Sequence, residues 1–577
     1  MMKWFRRFLV AVMLLMLLAT TAIYLTPLDT YVPKVEQVLS ANLHEPVKIR
    51  HLKIGALPIP HLVLEGLQVG EQADLVLQSV WIVFDIRSLF RPQRVIQRIT
   101  LENGSVTQAR LEKIPALLQG GGAAPIPFRV EELQFNGIRL VMPKFTLGPL
   151  EGKLEFAPDS SFARAWFSLP EQKVTAIVRP QPGNAFAIEA QASAWSPPNY
   201  PAIVFDSLSV NGVLAGAQFN AQKFSADAYG AHLEGGALLE WQPVWKLTAR
   251  LDALDGQVER LLPVLGNPIA ATGRLHGKGR LSTHGREVQA LPGNLKFDAE
   301  VEIKNATVHV PASPRRPLVV DAIKAGLSGS LAEYTLSNLN ARLYGGALSG
   351  SAVVRSADAL VNADVALTDI TIQPVVEVFN DELALTGTID ANAKFSVKLK
   401  EFEYFPQNVQ LDGAFHIKNG VLGKVDLVQA ASNPLKEGNK GGTTRFDELS
   451  GLLSIDAVGY HFRKLKVSSG VLNAEGRLDV TPQQQLSGLL DTDLKGTATL
   501  ISMPLMVSGT LRDLVLRPTK SALAGAAVGS ALLGPGLGTA LGIKAGNLLN
   551  KLFGKKNEKT DGKKETAPKE KETAPKK

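Results

Sequence analysis

The chain of 577 residues contains no cysteine, which excludes a disulfide framework, thiolate-ligated zinc and a cysteine nucleophile. Aromatic residues make up only 6%, so any large apolar surface must be built mostly from Leu, Val, Ile and Ala. Long apolar runs are equally scarce. There is one, and the mean hydropathy is +0.06, which excludes a polytopic membrane protein. A hydrophobic fraction of 45% still supplies enough apolar mass for a large core, so a wholly disordered or collagen-like chain is excluded too.

Catalytic patterns are missing as well. Gly534-Pro-Gly-Leu-Gly538 has the look of a dinucleotide fingerprint but follows no strand, and no acidic residue stands about 20 positions on in a βαβ setting. Gly273-Arg-Leu-His-Gly-Lys278 is one residue short of a phosphate-binding loop, and its repeat copy lacks the Lys. The nine His are scattered without metal-ligand spacing. No Gly-x-Ser-x-Gly elbow occurs. Asp364, Asp369, Asp390 and Asp412 are spread along alternating segments without tight pairing. The sequence reads as a non-enzyme with no cofactor and no metal.

Charge is placed at the two ends. Lys3, Arg6 and Arg7 stand at the start, and residues 551–577 hold ten Lys against five acids. Removing those thirteen basic and five acidic residues leaves 49 of each sign. A nucleic-acid reader is expected to carry its basic excess on the folded body. This distribution points to membrane surfaces instead, with no nucleic-acid partner.

After the basic start, Phe8 to Leu25 runs for eighteen residues without a charge. A membrane span needs about 20 apolar residues, so residues 1–26 are read as a cytoplasmic stub and an uncleaved anchor. Phe8, Leu14, Leu15, Leu17, Leu18 and Ile23 form its apolar body. A cleaved signal peptide is the competing reading, with a poor small-residue site at Ala19-Thr-Thr-Ala22. The positive-inside rule leaves the N-terminus in the cytoplasm and everything after Thr26 across the membrane.

The body repeats itself. Thr272-Gly273 aligns with Thr386-Gly387, and Leu291 to Asn305 aligns with Phe405 to Asn419, all offset by 114 residues. Pro292/Pro406, Asn294/Asn408 and Asn305/Asn419 are identical pairs. A second element recurs as Tyr229-Gly-Ala-His-Leu-Glu-Gly235, Tyr344-Gly-Gly-Ala-Leu-Ser-Gly350 and Ser469-Gly-Val-Leu-Asn-Ala-Glu-Gly476. Such duplication signals an extended array more than a compact enzyme. Within the repeat the pattern has period two. Phe297, Ala299, Val301 and Ile303 point one way while Lys296, Asp298, Glu300 and Glu302 point the other; Val409, Leu411, Phe415 and Ile417 keep the rule in the copy. Strict alternation predicts half-buried antiparallel strands, and the Tyr-Gly elements predict hairpins. Further strands are expected near Val130–Val141, Arg164–Val178, Ala185–Ala194, Ser207–Phe219 and Leu453–Val458. Helices are expected only in the anchor, residues 33–42, Ile370–Phe379 and the C-terminal segment. Periodicity leaves two architectures open: sandwiches whose apolar faces meet, or one curved sheet whose apolar face lines a groove.

The opening strengthens the second. Pro46 to Ile54, His61 to Val69, Val83 to Phe90 and Ile96 to Val106 follow the anchor in order. With the hairpin ending at Gly350 and the closing Val507 to Pro518, residues 1–520 resemble the AsmA family, relatives of the TamB-type bridge-like lipid transporters. The resemblance implies an inner-membrane protein, single-pass, whose periplasmic β-rich body folds like a taco and carries phospholipid towards the outer membrane in outer-membrane biogenesis. It also implies an association with outer-membrane protein assembly, with a non-enzymatic scaffold as the alternative. The family offers no catalytic residues to transfer. Phe297, Val301, Ile303, Val409, Leu411, Phe415 and Ile417 are the expected groove lining. The inner membrane and phospholipid are the expected partners, and the outer membrane or an envelope protein the contact at the far end.

The expected division is an AsmA-like N-terminal β region at 27–200, a repetitive C-terminal β region at 201–520, a Gly/Ala-rich segment at 521–553 and a solvated Lys/Glu tail at 554–577. In the third of these, Gly534, Gly538, Gly542 and Gly546 are spaced by four and would form one smooth helical ridge. The segment reads either as a membrane-associated helix pair broken at Pro535 or as a linker.

Overall fold

The computed structural model describes residues 28–55, 59–90, 93–111, 128–142, 146–197, 202–264, 269–309, 316–380, 383–399, 401, 408–432, 441–495, 501–533 and 543–545, with Arg6, Val10 and Met13. The anchor residues Phe8, Leu14, Leu15, Leu17, Leu18 and Ile23, the ridge Gly534, Gly538, Gly542 and Gly546, and the tail lie outside them. Among the described residues no helix is long and apolar enough to cross a membrane.

Among the described residues the chain is mainly β, in a repetitive sheet with few helices. Two compact units divide it, Met1–Gly256 with Gly277–Phe297, and Gln257–His276 with Asp298–Lys577. The first fourteen strands are β1 (Val47–Lys48), β2 (His51–Gly55), β3 (His61–Val69), β4 (Leu75–Phe84), β5 (Arg94–Thr107), β6 (Phe128–Val141), β7 (Thr146–Phe156), β8 (Phe162–Leu169), β9 (Val174–Gln181), β10 (Ala185–Trp195), β11 (Phe205–Ala215), β12 (Gln218–Ala228), β13 (Ala231–Glu240) and β14 (Trp245–Gln257). β15 (Ala270–Gly285) and β16 (Lys296–His309) follow. The rest are β17 (Leu318–Ser330), β18 (Glu333–Leu343), β19 (Gly346–Arg355), β20 (Leu360–Thr371), β21 (Thr388–Lys398), β22 (Val409–Gly423), β23 (Thr443–Asp456), β24 (Gly459–Ser468), β25 (Leu472–Val480), β26 (Leu486–Leu494), β27 (Ile501–Gly509) and β28 (Leu514–Pro518). Besides a single helical turn at Gln108–Leu111, the α-helices among the described residues are α1 (Val32–Leu43), α2 (Val258–Val264), α3 (Ile372–Phe379), α4 (Leu427–Ser432) and α5 (Lys520–Leu533).

In the first unit β1 and β2 both pair with β3, and the ladder then follows chain order to β14. One pairing departs from the expected antiparallel pattern. β5 and β6 run parallel, from Arg94↔Phe128 to Thr107↔Val141, and the chain between them is long enough for the crossover that parallel strands need. Helix α1 packs Val32, Val35, Leu39 and Leu43 onto the apolar cluster of Leu64, Leu67, Val69 and Leu77. Polar side chains fix it there. Asp29 accepts from the Leu52 amide, Glu36 from Ile49 and Ser40 from Val47, and Glu45 pairs with the buried Arg110 at 2.6 Å. These oxygens satisfy N–H groups at the start of the sheet that would otherwise be open to strand pairing.

In the second unit β17 to β28 pair consecutively and antiparallel. The repeat resolves into three six-strand modules, β11–β16, β17–β22 and β23–β28. α2 and α3 occupy the same place in the first two, after the fourth strand. The residues identical between copies have structural reasons. Asn294 donates to the His284 carbonyl and Asn408 to that of Lys398, again 114 residues apart. Asn305 and Asn419 are both left-handed, at φ 51° and 52°, which Asn tolerates better than other side chains. Thr272 bonds Thr307, and Thr386 accepts from the Val421 amide. Beside them Gly273 and Gly387 lie against the Ile303 and Ile417 methyl groups.

The Tyr-Gly elements are two-residue turns with both residues left-handed, Tyr229 at 51° with Gly230 at 72° and Tyr344 at 48° with Gly345 at 83°. This backbone matches the twist of the flanking strands. Each tyrosine hydroxyl then accepts an amide at the start of the neighbouring strand, from Val204 at 3.1 Å and Val319 at 3.0 Å. The third copy differs: its loop has one residue more, and Ser469 Oγ accepts from the Leu472 amide instead. The last glycine of each element faces a β-bulge. Phe224 pairs with Gly235, Leu339 with Gly350 and Leu465 with Gly476, each directly after a register shift in the opposing strand. A side chain at these glycines would run into the neighbouring carbonyl of Arg250, Asp364 or Leu489.

Several boundaries differ from expectation. Arg164–Val178 is two strands, β8 and β9, separated by the turn at Pro170–Gln172; Pro170 removes the donor a continuous ladder would need. Ser207–Phe219 spans the turn between β11 and β12, where Gly216 is left-handed. Leu453–Val458 is the end of the longer β23, which stops at Asp456. Helices α2 and α4 were not expected: at seven and six residues neither is long enough to show a 3.6-residue period.

The bulge glycine gives a direct test. Gly350→Ala should lower stability by about 1–3 kcal/mol through backbone overpacking, read from the denaturant midpoint. Gly470→Ala, where nothing lies within 4 Å, should change it by less than about 0.5 kcal/mol.

Candidate functional site

Directly opposed residues in an antiparallel pair share a face, so the register traces each row of side chains across the second unit. The central row runs Gly350, Val365, Ala393, Gly413, Leu453, Phe462, Leu478, Gly488, Val507, Leu516. A flanking row runs Ala352, Ala363, Phe395, Leu411, Ile455, Tyr460, Val480, Leu486. On the other side lies Ile370, Ile389, Ile417, Leu449, Val467, Ala474, Thr492, Met503. Thr492 alone among these rows carries an aliphatic hydroxyl, and it donates to the Met503 carbonyl at 2.6 Å. The ten strands these rows cross, β19 to β28, at about 4.8 Å each make this apolar face roughly 45 Å long.

Burial divides the face. The Ile370 row is covered: Ile370 is 1%, Ile417 3% and Met503 2% exposed. Helices supply part of the cover, since Ile372 and Val378 of α3 and Leu427, Ala430 and Ala431 of α4 belong to the same apolar cluster. From Val365 to Gly488 the central row is only half-buried. Val507 and Leu516, at its end, are each 3% exposed, in a cluster with Ala522 of α5 and Ile543. Part of the 521–553 segment thus packs on the protein, and the apolar face is closed at its last strands. Phe415 lies over its cross-strand partner Gly451 and meets Phe462 edge-on at 6.1 Å.

Four of the seven expected lining residues, Val409, Leu411, Phe415 and Ile417, lie on this face in β22, and the other three alternate in β16, outside the traced rows. Phe297, Val301 and Ile303 in β16 are half-buried between exposed or charged neighbours. Leu411 and Phe415 are half-buried on the open part of the face, whereas Val409 and Ile417 are buried at its two margins. Missing from the expectation were Val365, Ala393, Leu453, Leu478 and Leu490, which the register places on the same surface. Their alternation was visible in the sequence, but only pairing shows that the rows join.

The opposite face is wet and charged. Asp364 faces Lys394 at 3.7 Å, Asp390 binds Lys418 at 2.6 Å, and Lys466 binds Glu475 at 3.0 Å. These pairs are partly exposed and weak individually; they mark polarity more than they add stability. One cluster is denser. Asp479 accepts from Arg463 at 2.6 Å and from His461 at 2.7 Å, while the other ring nitrogen of His461 faces Asp456 at 3.3 Å. Burial alone would raise the Asp479 carboxyl, but the bonds from Arg463 and His461 outweigh it and hold it below the usual range. The Asp479 hydrogen bond, aided by Asp456, raises the His461 imidazole above its ordinary value.

Among the described residues no group of three or more His, Asp and Glu is placed to hold a metal ion. No family model, curated protein or solved structure matches the chain.

A raised imidazole pKa stabilises the fold fully below the unfolded value of about 6.5, and that stability is lost as pH rises through the folded value. Amide exchange in β24 and β25, corrected for its intrinsic pH dependence, should therefore be slower at about pH 6 than at about pH 9. His461→Gln should remove the difference.

Proposed function

We propose that the chain is an AsmA-type, inner-membrane-anchored protein whose periplasmic β-rich body carries phospholipid acyl chains between the inner and outer membranes, serving outer-membrane biogenesis without enzymatic chemistry. The observation behind this reading is the set of apolar rows traced across β19 to β28, half-buried at the centre and backed by a charged wet face. A soluble protein gains nothing from leaving such a surface half-covered unless something apolar occupies it. An acyl chain is a fitting occupant: each CH₂ removed from water contributes about 0.8 kcal/mol and asks for no polar ligand. One leaflet's chains span about half of a ~30 Å hydrocarbon core, shorter than this face. The order of the opening segments and the eighteen-residue uncharged run from Phe8 to Leu25 carry the anchored, N-terminus-in topology.

A second reading is a non-enzymatic scaffold acting on outer-membrane protein assembly. Its support is the closed end, where Val507 and Leu516 are buried with Ala522 and Ile543.

Native mass spectrometry of the purified full chain separates the two. Wild type should retain phospholipid, and Val301→Glu with Phe415→Glu should lose it while keeping its strand content by circular dichroism. His416→Glu, on the wet face, should retain it and so controls for lipid held around the anchor. Equal lipid in all three would favour the scaffold.

A further inference from the structure

The wet face of the first unit holds a second, unrelated feature. Across β8 to β12 the register aligns Trp166, Ile177, Glu189 and Asn211 in one row and Thr175, Gln191 and Ser209 in the next. The twisted strands make a depression of about 600 Å³ there, within the roughly 300–1,000 Å³ usual for small-molecule sites. Trp166 is 40% exposed, a large apolar ring on the face where the alternation places polar residues. Its lining differs in kind from the wet face of the second unit. There the side chains are charged and paired; here Glu189 is the one charged residue in the lining, and Arg179 pairs with it. Neutral amides and hydroxyls alternate with Ala, Ile and Val in the rest of the lining, and among the described residues no hydrogen bond engages the side chains of Thr175, Gln191, Ser209 or Asn211, or the Trp166 indole N–H. Trp81, the other exposed tryptophan among the described residues of this unit, is different: its indole N–H is taken by Glu102 at 3.1 Å.

We propose that this depression binds a neutral oligosaccharide. An aromatic face offers a flat apolar platform with a polar edge, and pyranose rings present C–H groups on one side and hydroxyls around the rim. Free amides and hydroxyls at successive strand positions match those hydroxyls as donors and acceptors. The single, self-neutralised charge pair gives no basis for recognising a phosphate or a polycation. Acyl chains are equally ill-suited, because each would bury the unpartnered polar groups.

Isothermal titration of the full chain in lipid nanodiscs, with no glycoside detergent present, tests the assignment. The probe is the β-1,4-linked tetramer of N-acetylglucosamine. Saturable heat with Kd of about 1 mM or tighter is expected. Trp166→Ala should weaken binding at least tenfold, Trp166→Phe should restore part of it, and Trp81→Ala should leave it unchanged. Phospholipid content should be the same in all of them, so the outcome is independent of the lipid reading. No saturable heat up to about 10 mM, or equal affinity in Trp166→Ala, would overturn the proposal.

Discussion

The structure depends on keeping each row of cross-strand side chains on one side of the sheet. Side chains alternate with a period of two, so a slip of one residue would turn a strand's apolar set to water. The three modules maintain the rows although their strands are not regular. In each, the second strand holds an extra residue, between Ala221 and Phe224, Leu336 and Leu339, or Phe462 and Leu465. The bulge returns both flanking residues to the apolar face and increases the local twist. In the last two, Asn338 at φ 51° and Lys464 at φ 50° absorb the irregularity. The glycine opposite leaves room for the backbone to close in. Bulge and glycine act as one device, and its repetition explains why the motif's last glycine is common to all three copies.

Function follows from how completely the apolar face is covered. α3 and α4 hide one margin and α5 with Ile543 hides the last strands, but the central row from Val365 to Gly488 keeps part of its surface in water. The small residues there matter. Gly350, Ala393 and Gly413 sit between Phe395, Leu411 and Phe415, leaving a low floor between taller walls. On the reverse side of the second unit, ion pairs such as Asp390–Lys418 and Lys466–Glu475 make the surface polar.

Much of this was legible in the sequence. The alternation in Lys296–Ile303 and its copy marked both as strands, and the 114-residue offset marked the repeat. Asn294/Asn408 and Asn305/Asn419 were visible as identities, and their reasons, a loop bond and a left-handed residue, emerged only with the backbone. The bulges hid the rest. Leu336-Ser-Asn-Leu339 places apolar residues three apart, which interrupts a period of two and conceals a strand that pairing makes continuous. The covering of Val507 and Leu516 by Ala522 and Ile543, like the joining of Trp166 to Asn211 across four strands, is a long-range fact that no local pattern records.

The central claim is that one face of the second unit, and one only, meets acyl chains. Site-specific photo-crosslinking along β23 in membranes containing radiolabelled phospholipid tests it residue by residue. The probe replacing Leu453 on the open central row should capture lipid, and probes replacing Ser450, Ser454 and Asp456 on the wet face, or Leu449 in the covered row, should not. Uniform labelling, or none at Leu453, would contradict the account.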